Sequence, residues 1–240
     1  MVRPTRIYHD LDKNDIQINF YYYYILIMHT YVKTLEKIAN RYAPSRSISF
    51  DMVHVFKTLQ LMNEKGHVSR EILCKELELG EGTVRTLIRH LKMHNLVETT
   101  NAGTKMSRKG NSFFADLLSS LPSETHLSKC NITLGKHNYA ILIKQMSFAV
   151  KSGIEQRDAA IKVGASGATT LLFKDNKFLI PQTNYDALRN EDQLAKLLIE
   201  SLQPHEKDVI IIGTDDSSLK RAELAAKNAA LVTVMSHEKH

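Results

Sequence analysis

The chain has 240 residues, of which 43% are hydrophobic and 24% charged, a balance that supports packed cores and excludes both a disordered chain and a polytopic membrane protein. That length predicts two domains of about 100 residues each. The formal net charge of +6 points to an acidic partner, and it is unevenly spread: residues 1–122 hold 17 Lys and Arg against 12 Asp and Glu, residues 123–240 hold 15 against 14.

Cys74 and Cys130 are the only cysteines, and they lie far apart without histidine spacing, which argues against a zinc site, a redox pair or a disulfide framework. Two free thiols fit a reducing, cytoplasmic setting. Residues 1–27 run from a polar stretch into the apolar, tyrosine-rich IQINFYYYYILIM, which is short of the roughly 18 to 20 residues that cross a bilayer. Asp10, Asp12 and Asp15 precede it and no small-residue cleavage site follows, so neither a membrane span nor a signal peptide is expected. Met28 is an alternative start, with residues 1–27 then a non-native or disordered extension.

From Tyr31 the pattern becomes helical, with Val32, Leu35 and Ile38 on one face until Ala43-Pro44-Ser45 stops it. Three further helices are predicted at about 50–64, 69–78 and 82–94, with Ser69 as an N-cap and Leu79-Gly80-Glu81-Gly82 as a turn. In the last of these Val84, Leu87, Ile88 and Leu91 form a buried stripe, which turns Arg85, Thr86, Arg89 and Met93 outward and sets His90 and Lys92 on the flanks. A short strand at 96–100, a turn at Asn101-Ala102-Gly103 and a returning strand at 104–106 follow. Ser107 then caps a helix to about Leu121.

A DNA duplex combines dense phosphate charge with a major groove that admits one helix, so its reader needs a rigid helix with outward donors and cations around it. Residues 82–110 supply six basic side chains, Arg85, Arg89, Lys92, Lys105, Arg108 and Lys109, against the single acid Glu98. Thr83 and Thr86 add hydroxyls at the start of the helix. The segment GEGTVRTLIRHLKMHNLVE followed by MSRKGNSFF resembles the winged-helix DNA-binding domains of bacterial and archaeal transcription regulators, including that of the central glycolytic genes regulator. RYAPSRSISFDMVHVFKTL and KSGIEQRDAAIKVGASGATTLLF are similar to an archaeal family of winged-helix proteins with a C-terminal domain of unknown function, over roughly residues 28–235. The resemblance implies a DNA-binding domain at 28–122 and an α/β domain at 123–240. It supplies no ligand or catalytic residue.

The second half alternates strands at about 138–145, 167–173, 177–181, 208–212 and 231–235 with helices at 148–163, 190–202 and 217–229. That order predicts an α+β chain whose second domain is a two-layer α/β sandwich, ferredoxin-like with an added unit. In the first of these helices Val150, Ile154 and Ile161 define an inner stripe that also contains Arg157, so this guanidinium is expected to meet a carboxylate or an anionic ligand. Thr214, Asp215, Asp216 and Ser217 stand where a buried strand gives way to a helix, a position at which α/β sheets bind ligands, although an Asp there also serves as a helix cap.

No GxSxG elbow, phosphate-binding loop, dinucleotide fingerprint or HExxH pair is present, and the histidines lack metal spacing, so no catalytic set, metal or cofactor is expected. The sequence therefore reads as a non-enzymatic, dimeric regulator of transcription that binds duplex DNA, with a second domain that takes a small effector or drives dimerisation. An enzyme directed by its winged helix, or a protein-binding scaffold, are the alternatives.

Overall fold

In the computed structural model, which describes residues 29–40 and 50–236, helices combine with two antiparallel sheets in an α+β fold. Helix α1 (residues 29–39) buries Val32, Leu35 and Ile38 completely, as their spacing requires. Helix α2 (Met52–Lys65) is entered through Asp51, whose backbone N–H donates to His54 Nδ1 at 3.0 Å. Val53, Val55, Phe56, Leu59 and Met62 point to several sides of α2 and all are buried, the mark of a helix at the centre of a core. Helix α3 (Arg70–Leu77) starts at Ser69, whose Oγ accepts from the Ile72 N–H, and stops at Glu78 in the left-handed region at φ 54°. Helix α4 (Glu81–Met93) starts one residue earlier than expected and takes up both Glu81 and Gly82, so the expected glycine turn is two residues shorter.

The hairpin β1 (Val97–Thr100) and β2 (Gly103–Met106) pairs Val97 with Met106 and Glu98 with Lys105. Val68, between α2 and α3, bridges to Thr104 of this hairpin and ties it to the helices. Helix α5 (Arg108–Ser120) begins at Ser107, which accepts from the Gly110 N–H at 3.0 Å and donates to the Asn95 carbonyl at 2.7 Å. Here α5 passes so close to the chain that a Cβ on Gly110 would lie 2.0 Å from the Leu96 carbonyl oxygen.

The second half contains β3 (Glu124–Leu127), β4 (His137–Ile143), α6 (Ile154–Lys162), β5 (Gly167–Lys174), β6 (Lys177–Leu179), α7 (Asp192–Leu202), β7 (Val209–Asp215) and α8 (Leu219–Met235). Its sheet has the order β3-β4-β7-β5-β6 with every neighbour antiparallel. The ferredoxin-like arrangement is therefore corrected: a ferredoxin-like order would set β6 between β4 and β5 with β7 at the edge, whereas here β7 runs between β4 and β5 and β6 takes the edge. The two-layer expectation is corrected as well. Ile141, Ile143, Val209 and Ile211 share a core with α8, whereas Ala140, Leu142, Ile210 and Ile212 share one with Leu194, Leu198 and Leu202 of α7, so both faces are covered. The apolar run of β7 reflects that double burial.

The strand expected at 231–235 is the last turn of α8. Its β-branched residues are overridden by the alanine-rich helix before them, which packs Ala222, Ala226 and Ala229 onto the sheet side of the core. The match is close: a Cβ on Gly213 of β7 would lie 2.3 Å from the Ala222 carbonyl oxygen. Strand β3 was not anticipated, because its four residues bury only Leu127 fully and carry little alternation.

One apolar core runs from α2 through α8 into the sheet, so the two halves are not separated by a solvent-filled gap. At this seam Lys57 of α2 and Lys227 of α8 both donate to Glu223. Lys227, 0% exposed, also lies 3.0 Å from Glu124 Oε1, which accepts from Gln60 Nε2 at 2.6 Å and from the Tyr139 hydroxyl at 2.8 Å. Two lysines and two glutamates thus balance in charge where water has little access. Burial alone would push the Glu223 carboxyl up, but Lys227 and Lys57 hold it below the usual range. Burial, reinforced by Glu124, pushes the Tyr139 hydroxyl upward.

Candidate nucleic-acid interface

Helix α4 buries Val84, Leu87, Ile88 and Leu91 and exposes Arg85, Arg89, Lys92 and Met93, as its amphipathic spacing dictates. Thr83 and Thr86 are half-buried, and the Thr86 hydroxyl donates to the Gly82 carbonyl at 3.0 Å. His90 departs from the expected flank position. It is 2% exposed, with Nδ1 2.7 Å from the Ile38 carbonyl oxygen and its ring edge-on to Phe50, because α1 covers that side of α4.

Arg85, Arg89 and Lys92 line one groove with Arg70 from the start of α3, and the hairpin closes it with Thr99 and Thr104. Arg70 is a member that the sequence reading missed. Its position one residue after the Ser69 cap was the available signal, since the first turn of α3 abuts the start of α4. Glu81 faces these cations: its Oε1 lies 2.9 Å from Arg85 Nη2 and 3.7 Å from Arg70 Nη1.

The cations beyond α4 divide. Lys105 is half-buried and stands opposite Glu98 in the hairpin register. Lys109 donates to the His94 carbonyl at 3.1 Å and so closes the C-terminal end of α4, where a cation is favoured. Arg108 is exposed on the first turn of α5.

The second candidate site does not assemble as expected. Arg157 projects outward, with a side chain 54% exposed, and pairs with its neighbour Asp158 at 2.9 Å. The inner face of α6 is made by Gln156, Ala159 and Ala160, while Ile154 and Ile161 are 52% and 50% exposed. The helix starts only after the left-handed Gly153, so Val150 lies outside it and does not define its phase. Gln156 occupies the inward place and donates to Thr233 Oγ1 at 2.9 Å.

Thr214 and Asp215 are buried, and their groups are engaged within the fold. Thr214 Oγ1 accepts from the Gly135 N–H at 2.8 Å. Asp215 Oδ1 accepts from the Ser217 N–H, the Ser217 hydroxyl and the Ser218 N–H, all within 2.9 Å, and Ser218 is the residue that caps α8. Burial would push the Asp215 carboxyl up, yet these bonds and Arg221 hold it below the usual range. Arg221, not Arg157, is the arginine beside it, at 3.9 Å, and Asp216 and Ser217 are exposed. This strand end is a turn built around its own carboxylate. Among the described residues, no group of three or more His, Cys, Asp and Glu side chains is arranged to hold a metal ion.

The fold and sites define an α+β chain with a basic helix–hairpin face and a five-stranded antiparallel sheet. A protein-family model described as a domain of unknown function (DUF4443) matches residues 134–234, and one described as PH0730-like, N-terminal domain matches residues 53–112. The chain carries both domains. A solved structure, the hypothetical protein PH0730 from Pyrococcus horikoshii OT3, is similar at 28% identity and a TM-score of 0.62, over 77% of this chain and 93% of that one. No curated protein matches. Among the described residues no helix is long and apolar enough to cross a membrane.

Proposed function

We propose that the chain is a cytoplasmic regulator of transcription that binds duplex DNA through α4 and the β1–β2 hairpin. In this reading α2 to α5 and the hairpin are a winged helix-turn-helix, the class that the central glycolytic genes regulator exemplifies, with α4 entering the major groove. The order of three helices, hairpin and helix supports it. The observation that carries it is the groove in which Arg70, Arg85, Arg89 and Lys92 converge opposite one acid.

Such a cluster has no structural need for so many cations, whereas phosphates neutralise them with release of counterions. Arg85 and Arg89, one turn apart, are the side chains suited to base edges, and Arg108 and Lys105 to flanking phosphate. A two-fold dimer would set two such helices on two half-sites. The sheet domain then serves self-association or takes a small effector, and the reading assigns no catalytic residue or cofactor.

The test is fluorescence anisotropy of the full chain with mixed-sequence duplexes across a range of salt. Four phosphate-facing cations in each protomer, Arg70, Lys92, Lys105 and Arg108, predict a log–log salt slope of about −3 to −4 per half-site, at roughly 0.9 per phosphate contact. Absence of binding at low salt would defeat the reading and favour a protein-binding role for the same face.

A further inference from the structure

We propose that Glu81 acts as a built-in competitor with the duplex for Arg70 and Arg85: it holds both until a well-seated duplex displaces it, and so suppresses binding to arbitrary duplex. The inference rests on the DNA-binding reading and deepens it by assigning a specificity role to an acid. Glu81 is the first residue of α4, and Arg85 follows four residues later on the same face, with Arg70 reaching the same carboxylate from α3. All three side chains are more than half exposed.

Exposed pairs of this kind contribute at most about 1 kcal/mol, so water and salt already compete with them and a phosphate can replace the carboxylate. The carboxylate is not a neutral bystander, however. It lies against Arg70 and Arg85 with the same charge as the phosphates, so a duplex that engages only Arg70 or Arg85 gains little. A duplex seated deeply enough to engage Arg89 and Lys92 as well gains contacts that Glu81 does not oppose. Arg89 and Lys92 carry no carboxylate partner among the described residues, which makes them the cations that reward correct seating.

The experiment measures affinity for mixed-sequence duplex against salt for wild type, Glu81→Gln, Arg70→Ala/Arg85→Ala and the triple variant, with melting temperature as the control for folding. Glu81→Gln is expected to bind roughly tenfold more tightly at about 0.1 M salt, with a slope steeper by about 1, and to melt within a degree or two of wild type. In the background that lacks both arginines the same change should gain less than about threefold. If wild type binds but Glu81→Gln binds no better while still folded, the role of Glu81 is overturned and the DNA reading stands. An undiminished gain without the two arginines would also overturn it, because the carboxylate would then act only through diffuse charge. If wild type binds no duplex, both readings fail together.

Discussion

Two clusters of basic and acidic side chains sit in opposite environments. At the seam between α2 and α8, Lys57 and Lys227 meet Glu223 and Glu124 largely shielded from water, and the charges balance. In the groove between α4 and the hairpin, Arg70 and Arg85 share Glu81, Arg89 and Lys92 pair with no carboxylate among the described residues, and the charges, in contact with water, do not balance. The difference follows from desolvation. A buried ion survives only if it is paired, so the seam is a structural device, while an exposed surplus costs the fold little and is available to a partner.

Lys227→Ala should give the largest effect. It removes the cation shared by Glu223 and Glu124 and leaves two shielded carboxylates against Lys57 alone, and the loss of stability is expected to be about 3 to 5 kcal/mol by denaturant unfolding. No single substitution in the groove should approach this, and one that did would erase the contrast.

Acid probes the same seam. The Glu223 carboxyl, and with it Asp215, is held below its ordinary value in the fold, so each binds protons more readily when unfolded. Their stabilisation is fully present above the unfolded carboxylate pKa of about 4.3 and is lost as pH falls through the folded values. Glu223→Gln should be less stable at neutral pH and show a shallower decline below about pH 4 in a melting series.

Arg89→Ala should leave the melting temperature within about a degree, because the side chain is exposed, yet weaken binding to a preferred duplex by about 1 to 3 kcal/mol. A stability loss as large as its binding loss would mean that the groove is structural after all. The smallest change is expected at Arg157, where an exposed pair with the adjacent Asp158 predicts less than about 0.5 kcal/mol for Arg157→Met.

The helix–hairpin half was largely legible because its signals are local. The stripe of Val84, Leu87, Ile88 and Leu91 sets the phase of α4, and Ser69 and Ser107 mark where helices start. The burial of His90 was not legible, since it depends on α1, about fifty residues earlier, lying against that flank. In the second half the errors have a common cause. The stripe of Val150, Ile154 and Ile161 does not set the phase of α6, because the left-handed Gly153 excludes Val150 from the helix and Ile154 and Ile161 are themselves half exposed, which leaves Arg157 on the outer side. The insertion of β7 between β4 and β5 is a long-range pairing with no local trace. The seam was illegible for the same reason, as Lys57 and Glu223 are 166 positions apart and each alone reads as a solvated surface charge.

The central claim, that α4 and the hairpin meet duplex DNA, is tested most directly by hydrogen–deuterium exchange of the full chain with and without saturating duplex. The account predicts slowed exchange across Glu81–Met93 and Val97–Met106, with the sheet strands His137–Ile143 and Val209–Asp215 unchanged. Protection confined to the second half, with α4 and the hairpin unaffected by bound duplex, would contradict it.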